Sequence, residues 1–389
     1  MTKRGQVPVV AMFALAVLGT PLAQAQTYKV LHSFTGPDGS KPRAALIADP
    51  AGDLFGTASG GGAFNDGTVF KVDKTGLTVL HSFRGPDGAG PWASLLRDPG
   101  GYLYGTTQSG GIEEDGTVFK LDPNGTETVL YGFKNSTLDG KYPLNNLIQD
   151  SAGNLYSTTE EGGESGVLGG VVFELGKAAY QVLYDFESGG GIPNGLIRDS
   201  AGNLYGTTQN GGTFDYGVVF KLDSAGTETV LYNFAGGADG ANPLAGVIQD
   251  SAGNFYGTTG GGGGASNCGT VFKLDSTGTE TVLYSFSGAA AEGCGPHAGV
   301  VLDPEGNLYG TTNEGGAPKT GIGYGVVFKI DTTGAETILH SFTGGADGGY
   351  PLAGLFLDSA GNLYGTASAG GIVNSACPTG CGVVFKIEP

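Results

Sequence analysis

Four short signatures recur along this chain in fixed order, seven times each, and that repetition limits the fold more than any other feature. The first is Val-Leu-His/Tyr-x-Phe, at residues 30–34, 79–83, 129–133, 182–186, 230–234 and 282–286, with Ile338 to Phe342 as the seventh copy. The second follows a proline and reads like Pro243 to Asp250. The third is Gly-Asn-Leu-Tyr-Gly-Thr-Thr, as at 202–208 and 306–312. The fourth is Gly-Thr/Val-Val-Phe-Lys, as at 67–71 and 382–386, with Gly170 to Glu174 as a variant. Successive copies of the first lie 49, 50, 53, 48, 52 and 56 residues apart. Each signature is too short for a helix and suits a strand. Between them lie turn sequences such as Asp199 to Asn203 and Asp275 to Thr279, which open on Asp and carry Gly three residues later. That chemistry fits a type I turn followed by a left-handed glycine, a common hairpin link. Much of the chain's glycine, 76 residues of 389, lies in these links, and the period of three that collagen needs is absent. Four antiparallel strands in each of seven units predict an all-β fold, a seven-bladed β-propeller of four-stranded blades. A β-helix, the main rival, does not join its strands by tight hairpins.

Phase decides closure. With the post-proline segment as innermost strand A, Gly-Asn-Leu-Tyr is B, Val-Val-Phe-Lys is C and Val-Leu-Tyr-x-Phe is the outer strand D. Small residues such as Ala44-Ala45 and Ala245-Gly246 then face the crowded axis. The last unit stops after strand C, and an extra D strand, Tyr28 to Phe34, precedes the first. The N-terminal strand is therefore expected to complete the last blade and remove two exposed edges. Residues 26–389 read as a single propeller with blades at about 42–83, 91–133, 143–186, 192–234, 243–286, 296–342 and 351–388 plus 28–34. One aromatic per blade in strand B (Phe55 to Tyr364) and one in strand C (Phe70 to Phe385) are expected to pack between blades.

Residues 1–25 read as a secretory signal: Lys3 and Arg4, an apolar run from Val7 to Leu18, and Ala23-Gln24-Ala25 as cleavage site. Removing it changes the formal charge from −18 to 17 − 37 = −20. So acidic a surface argues against nucleic acid and against insertion into anionic membranes. A secreted or extracytoplasmic monomer is expected, with an extracellular ligand as its partner. Four cysteines in an exported chain predict disulfides. Cys268 and Cys294 fall in loops on the same face, and Cys377 and Cys381 fall within one loop, so these are the expected pairs.

The motifs resemble the GloVer tandem repeat, a bacterial family. Asp303 to Gly316, Gly269 to Asp275 and Glu280 to Phe286 carry the likeness, and it extends over essentially all of the chain after the leader. The resemblance implies an exported, propeller-like protein and no particular activity. Many members carry a C-terminal sorting anchor, and this chain is expected to lack one. More distantly the strand order is similar to NHL-repeat and gluconolactonase-type propellers.

Chemistry is expected on the face bearing the B–C and D–A connections, where the long variable loops fall. His32, His81 and His340 occupy a D-strand slot that holds Tyr elsewhere and read as structural. A gluconolactonase-like site would need carboxylates beside Asn145, Asn146 and Asn194, and none occurs at those positions. A sialidase-like arginine cluster is not assembled by Arg43, Arg84, Arg97 and Arg198. The acids that precede Gly in the D–A links (Asp38, Asp87, Asp139, Asp239, Asp347) could hold calcium, but they read first as turn residues. No cofactor and no metal site are predicted. Five departures from the repeat are the candidate ligand-binding residues: Arg43, Trp92, Asn145, Asn194 and His297. They predict a binding or scaffold module for a glycan, peptide or surface protein. The alternative is an extracellular polysaccharide lyase or hydrolase working at the channel mouth.

Overall fold

The computed structural model describes residues 26–134, 139–163, 169–177, 179–186, 191–289, 292–316 and 323–388. The expected leader at 1–25 lies outside them, as do parts of the loops at 160–169 and 313–324. Seven four-stranded antiparallel sheets form a seven-bladed propeller, with no helix among the described residues. Blade one runs A Ile47–Ala48, B Leu54–Ala58, C Thr68–Asp73 and D Gly76–Ser82, side by side in that order. In blade seven the outer strand is Thr27–Ser33, paired with Val383–Glu388 from Thr27 opposite Glu388 to Ser33 opposite Val383. The expected closure by the N-terminal strand is what forms. That strand even carries the register shift seen in the C–D pairs of the other blades, as between Val219 and Phe220 in blade four.

The A–B links of all seven blades and the C–D links of blades two, four, five and six adopt the expected turn. In Asp199 to Asn203 the Asp199 carboxylate accepts the Ala201 and Asn203 N–H groups while Gly202 takes φ +91. The tyrosine of strand B adds a bond to the same acid, as Tyr205 Oη donates to Asp199 Oδ2 at 3.0 Å. That bond recurs in blades two to seven and is absent from blade one, where Phe55 replaces Tyr.

Strand A is shorter than the signature predicts, only two residues in each blade. Its upstream half turns its carbonyls to the neighbouring blade instead. The threonine of strand B donates its hydroxyl to a strand-A carbonyl of the next blade at all seven interfaces, over 2.8–3.3 Å. The last of these, Thr366 to Ala44, closes the ring.

Packing follows the same cycle. The D-strand Phe of each blade meets the C-strand Phe of the next edge-to-face, from Phe34–Phe70 round to Phe342–Phe385, with ring centroids 5.0–5.4 Å apart. All seven C-strand rings are fully buried. Each such pair contributes about 1 kcal/mol beyond the area it hides. The strand-B aromatics join these clusters, as Phe55 does with Phe83, Leu103 and Phe119. The glycine of Leu-Tyr-Gly-Thr leaves room for the ring, since a Cβ at Gly206 would sit 2.8 Å from Phe220.

Both expected disulfides are present, Cys268–Cys294 and Cys377–Cys381. The first ties the loop ending blade five's B–C connection to the D–A connection entering blade six.

A candidate ligand site at the channel mouth

Each proline sets the position of the residue after it. In six blades the residue before the proline takes a left-handed φ, for example Lys41 at 54 and Tyr142 at 56. Its N–H then reaches a carbonyl in the previous blade, as Lys41 does to Cys381 and Tyr142 to Asp115. The post-proline side chains so placed are Arg43, Trp92, Leu144, Leu244, His297 and Leu352, and all six line one cavity of about 450 Å³. Blade four is built differently. It has one residue fewer between Pro193 and Leu196 than blade three has between Pro143 and Leu147. Asn194 therefore falls in the slot of Asn145, one step below the mouth.

The hydrogen bonds confirm this equivalence. Asn145 Nδ2 donates to Thr158 Oγ1 at 2.8 Å and to the Pro193 carbonyl at 3.2 Å. Asn194 Nδ2 donates to Thr207 Oγ1 at 2.9 Å and to the Pro243 carbonyl at 2.8 Å. Both asparagines thus hold neighbouring blades together with their nitrogens and keep only their carbonyl oxygens for the cavity. All five residues singled out in the sequence line this one cavity, three at the rim and two beneath it.

Two further polar side chains join them, Glu160 and Gln209. Each follows the second Thr of Gly-Thr-Thr or its variant, where other blades place Ser, Gly, Gln or Asn. Their N–H groups donate to the carbonyls of Tyr142 and Ile192, just before the prolines, which brings the side chains to the mouth. The sequence signal was that variable position after a recurring Thr-Thr or Thr-Ala pair, and it pointed to a loop with no direction attached.

The electrostatics are uneven. Arg43 lies 4.0 Å over the Trp92 ring, and its buried Nε has no hydrogen-bond partner. Burial pulls its guanidinium below the usual arginine range. Burial likewise favours the neutral imidazole of His297, although solvent reaches its ring through the cavity. Burial, and then the charge of Glu161, push the Glu160 carboxyl up. Below the mouth the channel continues as a space of about 550 Å³ between small residues such as Ala45, Gly246 and Gly354.

Away from the axis, the D–A acids are engaged in their turns. Asp239 accepts the Ala235 and Gly237 N–H groups and the Tyr232 hydroxyl. Asp38 accepts from Thr35 and meets His32 at 2.7 Å. His81 and His340 stand 3.3 and 3.2 Å from Asp87 and Asp347 in the same way. Among the described residues no three His, Cys, Asp or Glu side chains gather as metal ligands would.

Two solved structures share this fold. A virginiamycin B lyase from Staphylococcus aureus, a catalytically inactive form with quinupristin, matches with a TM-score of 0.59 at 12% identity, over 94% of this chain and 99% of that one. The extracellular domain of a one-component system from B. thetaiotaomicron matches with a TM-score of 0.59 at 11% identity, over 93% of this chain and 40% of that one. A gluconolactonase from Xanthomonas campestris matches at 12% identity over 93% of this chain and 89% of that one, with a TM-score of 0.46. No curated protein matches the sequence. The pattern of the Gloeobacter/Verrucomicrobia repeat covers residues 20–197 and 169–385, nearly the whole chain. The chain belongs to the Gloeobacter/Verrucomicrobia repeat family.

Proposed function

We propose that this propeller is an extracytoplasmic binding module that takes its ligand, a glycan or a peptide, at the channel mouth. One observation carries the reading: the polar departures from a seven-fold repeat converge on a single cavity. Scattered around the ring, they would be drift. Gathered, they supply an indole face, a guanidinium, an imidazole and amide oxygens on a rigid rim, the mixture of apolar surface and few convergent polar groups that ligand sites use. The disulfides and the likeness in fold to the extracellular domain of a one-component system support an oxidising compartment.

Trp92 makes the test direct, because it is the chain's single tryptophan. Oligosaccharides and peptides that bind at the mouth will perturb its fluorescence. Trp92→Ala is expected to weaken such a ligand by about 1–3 kcal/mol with folding intact. Unchanged affinity in both Trp92→Ala and His297→Ala would move the site elsewhere. A lyase or hydrolase is the second reading, and Glu160 favours it by adding a carboxyl with a raised pKa to a cavity that already holds His297. Incubating the same polysaccharides with the protein and sizing the products separates cleavage from retention.

A further inference from the structure

The guanidinium of Arg43 lies against the Trp92 ring, and among the described residues it has no counter-ion. The chain carries 37 acidic residues against 19 basic ones, and some of its cations take carboxylates: Lys29 with Glu388, Lys71 with Asp53 and Asp73, Arg84 with Asp87. Among the described residues no carboxylate lies within ion-pair distance of Arg43. Its one contact of note is the Trp92 ring. A half-buried guanidinium without a counter-ion is costly, and a carboxylate arriving in its fork would form two charge-assisted bonds. The acid-rich sequence places Arg43 in a cavity that also gathers Trp92, His297 and Gln209.

Two features narrow the ligand. A peptide would seek main-chain partners along an open strand edge. Here the carbonyls below the rim already accept threonine hydroxyls, so the mouth offers side chains instead. Leu144, Leu244 and Leu352 alternate with the polar residues around the rim. That spacing suits a pyranose, whose C–H faces pack on apolar side chains while its hydroxyls reach His297, Gln209 and the asparagine oxygens. The negative charge is limited to one, because a single arginine faces a cavity that also contains Glu160. A carboxylate fits that allowance better than a phosphate dianion.

We infer that the ligand of the channel mouth is a saccharide bearing a carboxylate, and that Arg43 is the residue that reads the acid. The inference rests on the binding function proposed above. The test uses short oligomers of galacturonate, glucuronate and mannuronate, each beside its carboxyl-reduced neutral counterpart, titrated at pH 7.5 by Trp92 fluorescence and calorimetry. At least one acid is expected to bind tenfold or more tightly than its reduced form. Arg43→Gln should erase that difference between acid and reduced sugar, with Arg43→Lys in between. Glu160→Gln should tighten the acid severalfold by removing a like charge. Equal binding of acid and reduced sugar, or undiminished acid binding in Arg43→Gln, overturns the inference and leaves the binding site standing. A free-acid tripeptide bound more tightly than every saccharide would overturn it in favour of a peptide ligand. Silence of Trp92 toward every probe removes the channel-mouth reading itself.

Discussion

Two layers at the top of the channel are one residue apart and follow different rules. In the lower layer Ala44, Ala93, Asn145, Asn194, Ala245, Ala298 and Ala353 each give a carbonyl to a threonine of the preceding blade. In the upper layer Arg43, Trp92, Leu144, Leu244, His297 and Leu352 line the cavity, and among the described residues their side chains make no hydrogen bond across an interface. The lower layer is nearly uniform because a bulky side chain there must fit between blades, and where alanine is replaced the asparagine takes on interface bonds. The upper layer is free to differ from blade to blade. A repeat architecture thus confines its individuality to positions that the blade-to-blade contacts leave unclaimed.

The comparison can be broken at its largest scale first. Removing residues 26–35 deletes the outer strand of blade seven and the Phe34–Phe70 contact, leaving the Val383–Glu388 strand with an open edge. The melting temperature should fall by more than ~10 °C, several kcal/mol on this scale; a truncated chain that melts like the intact one would show that the ring does not depend on its closing strand. Next comes a single link. Thr207→Val removes the hydroxyl that donates to the Ala245 carbonyl at 2.8 Å and accepts from Asn194. It should cost about 2 kcal/mol in denaturant unfolding, because buried partners lose their bonds. Leu144→Ser in the upper layer should cost less than about 1 kcal/mol, since its side chain is only half-buried. Equal losses would mean that the two layers are not distinct.

The smallest effect concerns pH. Glu127 and Glu280 begin D strands and abut the previous blade. Burial, with the charges of Asp87 and Asp239 respectively, raises each carboxyl from 4.5 to about 7. A pKa raised by folding adds stability that is complete below the unfolded value and is lost as pH climbs through the folded one. The urea midpoint should therefore fall between pH 5 and pH 8. Glu127→Gln with Glu280→Gln should flatten that slope, by about 1 kcal/mol per site once solvent screening of these half-exposed groups is allowed for. An unchanged slope would remove these two acids as its source.

Much of this was readable from residues. Strand order, the closing role of Tyr28 to Phe34, the cysteine pairs and the meeting of five side chains at one mouth all follow from the phase of the repeat. The threonines were harder. In Gly-Thr-Thr they read as ordinary strand formers, and nothing local says that Thr207 bonds to Ala245, 38 residues away. The same bond explains why strand A pairs over two residues only. Blade four hid its missing residue because Pro193-Asn194 still looks like a post-proline pair, and only the bonds of Asn194 reveal the slot it fills. Glu160 and Gln209 escaped notice because their direction depends on backbone bonds to another segment, Tyr142 and Ile192.

The pairing of Thr27 with Glu388 has a consequence for where such a chain can be cut. Those two residues face each other where every other blade has a C–D hairpin, such as the exposed turn at Asp275 to Thr279. A short Asp-Ser-Thr-Gly-like linker from Glu388 to Thr27 would supply the missing hairpin. New ends could then open between Ser276 and Thr277, both exposed to solvent. The permuted gene would encode the same ring with the same seven threonine links, so the molecule has a start in its reading frame but none in its circle of contacts.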